Sequence, residues 1–182
     1  HNEMEKLLKG IMKLNKEKKI NKPIALKISP DINSQEISST IELIKKYKIQ
    51  GIILSNTTDS NRENLTDNHK TERGGLSGLP LKDVSTKLIK KFYKYTKGTI
   101  QIIGVGGVDS GQSAFEKISA GANVVQLYTG MVYKGPGVVK SIKKDLISIL
   151  KKEKIDNVVD AVGINAWPIL LLQLYNLGKI YV

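Results

Sequence analysis

The stretch Thr99-Ile100-Gln101-Ile102-Ile103-Gly104-Val105-Gly106-Gly107-Val108-Asp109-Ser110 decides the fold class. A short run rich in Ile and Val and closed by glycines reads as a strand over residues 99–105. It is nearly continuous in apolar character instead of alternating, the pattern of a parallel sheet buried on both faces. Ser110 is a candidate N-cap for the segment that follows. There Ala114, Phe115 and Ile118 recur at helical spacing and Gly121 supplies a stop. Strand, glycine turn and helix make one βα unit.

The same unit recurs on both sides. Upstream, Ile24-Ala25-Leu26-Lys27-Ile28 is a strand apolar in everything but Lys27, ending at Pro30. Ser34 is the expected cap of a helix with Ile37, Ile41, Ile44 and Tyr47 inward. Gly51-Ile52-Ile53-Leu54-Ser55 is the next strand, and residues 56–75 form a polar loop. Residues 81–95 read as a helix with Val84, Leu88, Ile89, Phe92 and Tyr95 inward. Downstream, residues 123–128 are a strand, and residues 138–150 a helix carrying Val139, Ile142, Leu146 and Ile149. An amphipathic helix over residues 3–15, with Met4, Leu7, Leu8, Ile11 and Leu14 on one stripe, precedes them all. Four βα units in series fit an open doubly wound sheet or half of a (β/α)8 barrel. A full barrel needs about 250 residues, and the chain has 182.

Composition narrows the function classes. The sequence has no cysteine, which excludes disulfides, thiolate metal sites and a thiol nucleophile. Its net charge of +12 comes largely from lysines such as Lys45, Lys46, Lys90, Lys91, Lys143 and Lys144 on the polar faces of helices. They are not interleaved with stacking aromatics, so the reading is a solvated surface, not a nucleic-acid interface. No apolar run reaches the roughly 18 residues of a membrane span, and the first residues lack the apolar core of a signal peptide. His1 is not an initiator residue, so the expectation is that a longer protein precedes it. His1 and His69 belong to no metal-ligand pattern, and no Ser/His/Asp constellation is legible. Redox chemistry here would need a bound cofactor.

In parallel α/β folds ligands bind at the C-terminal ends of the strands. Those ends hold Lys27, then Ser55-Asn56-Thr57-Thr58, then Gly104-Val105-Gly106-Gly107, then Tyr128-Thr129-Gly130. A lysine inside an apolar strand is expected to meet an anion or an electron-rich ligand; the alternative is a lysine that reaches water at the strand end. Asn56-Thr57-Thr58 suits a planar ligand with carbonyl and N–H edges, or forms a simple turn. The two glycine-bearing loops resemble the phosphate site after the seventh and eighth strands of many barrels. Gly74-Gly75-Leu76-Ser77-Gly78-Leu79-Pro80-Leu81 is either a ligand-facing loop or a lid without ligand contact.

Taken in order, these segments resemble the dihydroorotate dehydrogenase family. The resemblance runs from Glu5 to about Gly163. It includes Ala25-Leu26-Lys27-Ile28-Ser29-Pro30-Asp31, Gly121-Ala122 with Gln126-Leu127-Tyr128-Thr129, and Asp160-Ala161-Val162-Gly163. The form Gly-Gly-Leu-Ser-Gly-x-Pro-Leu at residues 74–81, with Ser85-Thr86 shortly after, looks like the quinone-dependent class. The resemblance implies a TIM-barrel-type α/β fold in which residues 1–163 are the C-terminal half, about strands five to eight. It implies FMN as cofactor, with Lys27 and Ser55 beside the flavin and Gly78, Gly106, Gly107, Tyr128 and Thr129 holding it, the last three around its phosphate. Asn56 and Thr57 would hydrogen-bond dihydroorotate or orotate. Ubiquinone would reoxidise the flavin, in a step of pyrimidine synthesis, at the mitochondrial inner membrane.

Two departures accompany it. The family's first four strands, its catalytic serine loop and its quinone-tunnel helices have no counterpart here, so no residue is assigned as the base. Residues 164–182, with Ala166-Trp167-Pro168 and an apolar stretch, continue as an atypical tail. Half a barrel would leave two unpaired sheet edges, so self-association is expected. A different phosphate-binding barrel enzyme and an inactive barrel fragment are the competing readings.

Overall fold

The computed structural model describes residues 2–20, 22–60, 62–63 and 65–167. The described chain runs α1 (Asn2–Glu17), β1 (Ala25–Ile28), α2 (Ser34–Lys46), β2 (Gly51–Leu54), α3 (Lys82–Thr96), β3 (Gln101–Val105), α4 (Gly111–Ala120), β4 (Val124–Gln126), α5 (Thr129–Lys134) and α6 (Val138–Lys152). Short 3-10 turns at Leu79–Leu81 and Val158–Ala161 complete it. The strands pair in parallel in the order β1-β2-β3-β4, with Ile28 opposite Leu54 and Leu54 opposite Gly104.

Local chemistry places the helix starts. Asn33, not Ser34, caps α2. Its side chain accepts from the Glu36 N–H at 3.0 Å, and the Glu36 carboxylate accepts from the Asn33 N–H at 2.8 Å. This reciprocal box satisfies two donors that a helix start otherwise leaves unpaired. Ser110 caps α4 as expected, with Ser113 as its reciprocal partner. Gly121 ends α4 with φ 125°.

The expectation of a sheet buried on both faces is overturned. Side chains alternate along a strand, and the two faces differ. Ile28, Ile52, Leu54 and Ile102 are buried and pack with Ile37, Ile44, Ile89 and Phe92 of the helices. On the opposite face Lys27, Gln101, Val124 and Gln126 are exposed, and Ile53, Ile103 and Val105 only half-buried. The strands read as continuous apolar runs because Ile53, Ile103 and Val105 form that second face too. Among the described residues nothing covers it.

Smaller corrections have equally local causes. Tyr95 is 55% exposed, and Tyr93 takes the inward place expected of it, packing against the core. Val139 is exposed, while Val138 and Ile142 join the core. The fourth strand stops at Gln126, because Tyr128 turns to begin α5, a helix of six residues too short for periodicity to reveal. Packing continues beyond Gly163. Ala166 is fully buried, the Asn165 N–H donates to the Ser119 carbonyl at 2.8 Å, and Lys94 sits over the Trp167 ring. The rest of the expected tail, residues 168–182, lies outside the described residues.

Candidate functional site

The strand ends converge as parallel topology requires. A cavity of about 190 Å³ is lined by Lys27 from β1, by Ser55, Asn56 and Thr57 after β2, and by Val105, Gly106, Gly107 and Val108 at β3. Ser77, Gly78 and Leu81 line it from the loop before α3, and Leu127, Tyr128, Thr129 and Gly130 after β4. All nine residues singled out in the sequence stand in this one wall. Lys27 and Val105 also belong to the uncovered sheet face.

Each member is held by its own local structure. Ser55 is buried, its N–H bonds the Val105 carbonyl at 3.1 Å, and its hydroxyl donates to the Asn56 carbonyl at 3.0 Å. The Leu54–Ser55 peptide is cis. Asn56 is tied to β1 through its N–H and the Ile28 carbonyl at 2.8 Å, which leaves its side chain and that of Thr57 exposed at the cavity. Thr58 turns away. It is buried, donates to Asp31 at 2.5 Å, and pairs with Leu76 by two backbone hydrogen bonds. The loop between them is braced by Arg62, whose guanidinium donates to the carbonyls of Lys70, Glu72 and Gly74.

Lys27 is exposed, because its strand face is the uncovered one. Tyr128 is 78% exposed. Gly106, Gly107 and Val108 are buried.

The glycine turn is where the fold demands glycine. Gly107 has φ 68°, and a Cβ there would lie 2.7 Å from the Lys82 Cα, so neither the conformation nor the space admits a side chain. Gly78, with φ 79°, packs as closely on Thr129, whose Cγ2 would lie 2.9 Å from an added Cβ. The loop after β3 is also clamped from α5: Lys134 donates to the Asp109 carboxylate at 2.7 Å and to its carbonyl at 3.1 Å. The Lys134 hydrogen bond holds the Asp109 carboxyl below its ordinary range. Beside the turn, Lys82 and Glu116 pair at 2.8 Å, and that hydrogen bond raises the lysine. Burial alone would raise Glu116, but hydrogen bonds from Lys82 and Gln112 bring it below its usual value.

Sequence reading missed a buried cluster beside this wall. Lys117 is fully buried and donates to Ser85, Thr86 and the Lys82 carbonyl. Burial lowers it to about 8. A legible signal existed: Lys117 stands three residues after the inward Ala114, and Ser85 precedes the inward Leu88 and Ile89 by three and four.

A model of the dihydroorotate dehydrogenase family matches residues 1–150. The chain belongs to the dihydroorotate dehydrogenase family. It is 44% identical over 168 residues to a dihydroorotate dehydrogenase (quinone) of Trichodesmium erythraeum, covering 88% of this chain and 44% of that protein. To the mitochondrial dihydroorotate dehydrogenase (quinone) of Mus musculus it is 45% identical, over 78% of this chain and 36% of that one. These relatives are of the quinone class that residues 74–81 indicated. The fold agrees with the ligand-free DHODH of Eimeria tenella at TM-score 0.77 and 40% identity, over 79% of this chain and 40% of that chain. The architecture is thus of the TIM-barrel type, and the chain spans about two fifths of the length of these dihydroorotate dehydrogenases. Because cyanobacterial and mouse relatives match equally well, the comparisons do not carry the expected mitochondrial membrane location. Among the described residues no helix is long and apolar enough to cross a membrane.

Proposed function

We propose that this chain forms the FMN-binding strand ends, about strands five to eight, of a quinone-dependent dihydroorotate dehydrogenase. The observation that carries the proposal is the single cavity wall shared by Lys27, Ser55, Asn56, Thr57, Gly78, Gly106, Gly107, Tyr128 and Thr129. In this reading residues 1–163 are the barrel part and residues 164–182 an appended tail.

The wall fits the cofactor chemically. A close-packed glycine turn exposes backbone instead of side chains, which is how proteins approach a phosphate. Gly106 and Gly107, with Tyr128 and Thr129 across the cavity, would hold the phosphate end. Ser55 and Gly78 would hold the ring system, with Lys27 beside it. FMN, when bound, would supply the acceptor for the hydride that leaves dihydroorotate as its C5–C6 bond becomes the double bond of orotate, and would pass the electrons to a quinone. Lys27 contributes a fixed positive charge where negative charge develops, an effect strongest where water is excluded. Asn56 and Thr57 present donors and acceptors that can orient a ring with carbonyl and N–H edges. The base that takes the C5 proton has no candidate among these residues.

Among the described residues the sheet face is uncovered and the outer edges of β1 and β4 are unpaired, which supports a companion proposal. Further barrel strands cover this face, from the same protein or from a second copy, and sedimentation separates the two. A mitochondrial location rests on the name of the mouse relative and its inner membrane on the family resemblance alone, and cell fractionation tests both.

The direct test is visible absorption of the purified protein after FMN is added and free flavin removed. A retained flavin band that orotate perturbs further supports the reading, and absence of retained flavin refutes a competent site in this chain.

A further inference from the structure

The buried lysine of α4 has no part in the site described so far, yet its hydrogen bonds lead to the glycine turn. Lys117 Nζ lies 2.6 Å from Ser85 Oγ, 3.0 Å from Thr86 Oγ1 and 3.3 Å from the Lys82 carbonyl. An ammonium has three donors and no acceptor. All three are used, each on the first residues of α3, and the side chain is fully buried.

The hydroxyl of Ser85 has two acceptors in reach. Ser85 Oγ is 3.3 Å from both the Lys82 and the Gly106 carbonyls. The Lys82 carbonyl already accepts from Thr86 Oγ1 at 2.7 Å and from Lys117, so it is the more crowded acceptor and the Gly106 carbonyl the more open one. Lys117 occupies a lone pair of Ser85 and directs its hydroxyl to Gly106. Ser85 is itself fully buried, so water does not compete.

We propose that Lys117 is a positioning residue for the cofactor cradle: through Ser85 it fixes the Gly106 carbonyl and so sets the Gly106-Gly107 turn. The inference rests on the FMN reading for its consequence, but not for the positioning itself. It gives the Ser85-Thr86 pair a division of labour. Ser85 transmits, and Thr86 serves only to hold the lysine.

The test compares the purified protein with Ser85→Ala, Thr86→Val, Lys117→Met and the Ser85→Ala/Lys117→Met double variant. The readouts are amide hydrogen exchange at residues 106–108, FMN affinity from quenching of flavin fluorescence, and the thermal midpoint. Ser85→Ala and Lys117→Met are expected to speed exchange at the turn and weaken FMN by about tenfold, the size of one charge-assisted hydrogen bond. The double variant is expected to be no weaker than Lys117→Met alone, because both act through one link. Thr86→Val is expected to lower the midpoint and leave FMN affinity within about twofold. Unchanged exchange at 106–108, or affinity that simply follows the midpoint across all variants, overturns the proposal. Should Lys117→Met not fold, Ser85→Ala decides, since it keeps the lysine's other two bonds. If the unmutated protein binds no FMN, the cofactor reading fails, and the exchange data alone decide the positioning.

Discussion

Ser77 Oγ and Thr129 Oγ1 lie 2.9 Å apart although 52 residues separate them in sequence. The pair joins the loop before α3 to the first turn of α5, two sides of the same cavity. Gly78 packs against the methyl group of Thr129 immediately beside it. The shape of the wall therefore depends on two loops that hold each other, not on either one alone.

Thr129→Val keeps the side-chain volume and removes the hydroxyl. FMN affinity is expected to fall about tenfold, while unfolding free energy changes by less than about 1 kcal/mol, since a single partly exposed hydrogen bond contributes little net. Fluorescence titration and urea unfolding measure the two. A stability loss without an affinity loss would make the pair a loop clasp only.

Gly107 and Gly135 offer a controlled comparison, because both have φ near 70° but only Gly107 is crowded. Gly135→Ala meets nothing within 4 Å, so its cost is conformational, about 1 kcal/mol. Gly107→Ala meets the Lys82 backbone at 2.7 Å and must displace the start of α3. It is expected to cost about 2 kcal/mol or more and to abolish flavin retention. Equal costs at the two sites would show that the turn yields freely.

Lys27 is exposed on the open face of the sheet. Lys27→Met is expected to leave stability within about 0.5 kcal/mol, as is usual for surface positions. FMN affinity, from quenching of flavin fluorescence, is expected to fall about tenfold, the scale of one lost hydrogen bond to a charged group. An unchanged affinity would remove Lys27 from the cofactor cradle.

Much of this was legible in the sequence, and the exceptions share a cause. Ile102 and Gly121 announce a strand and a helix stop by composition alone, and motif order brought nine residues to one wall. What failed needed distance information. Lys27 stood out as the charged exception in an apolar strand, with ligand contact and solvent both open to it, and only the uncovered face shows that its own side of the strand meets solvent. Ser77 and Thr129 carry no mark of their partnership. Lys117 shares the inward spacing of Ala114 but is one lysine among many, and its partners on α3 follow only from packing between α3 and α4.

Lys117 also sets a pH dependence. Burial pulls it from 10.5 down to about 8, against the attraction of Glu116 on its own helix and of Asp83 on α3, and with the repulsion of Lys82. Its pKa is lower folded than unfolded, so between about pH 8 and 10.5 the unfolded chain holds a proton that the folded chain has released. Stability from this group therefore rises with pH across that window, by up to about 3 kcal/mol. Lys82, raised by Glu116, acts oppositely, its contribution fading as pH climbs through its own folded pKa. Comparison with Lys117→Met cancels Lys82 and every other shared group. Urea unfolding at about pH 7 and about pH 10 should show the natural protein gaining on the variant as pH rises. A constant difference would mean that Lys117 keeps its proton throughout, held by its three acceptors firmly enough to offset burial.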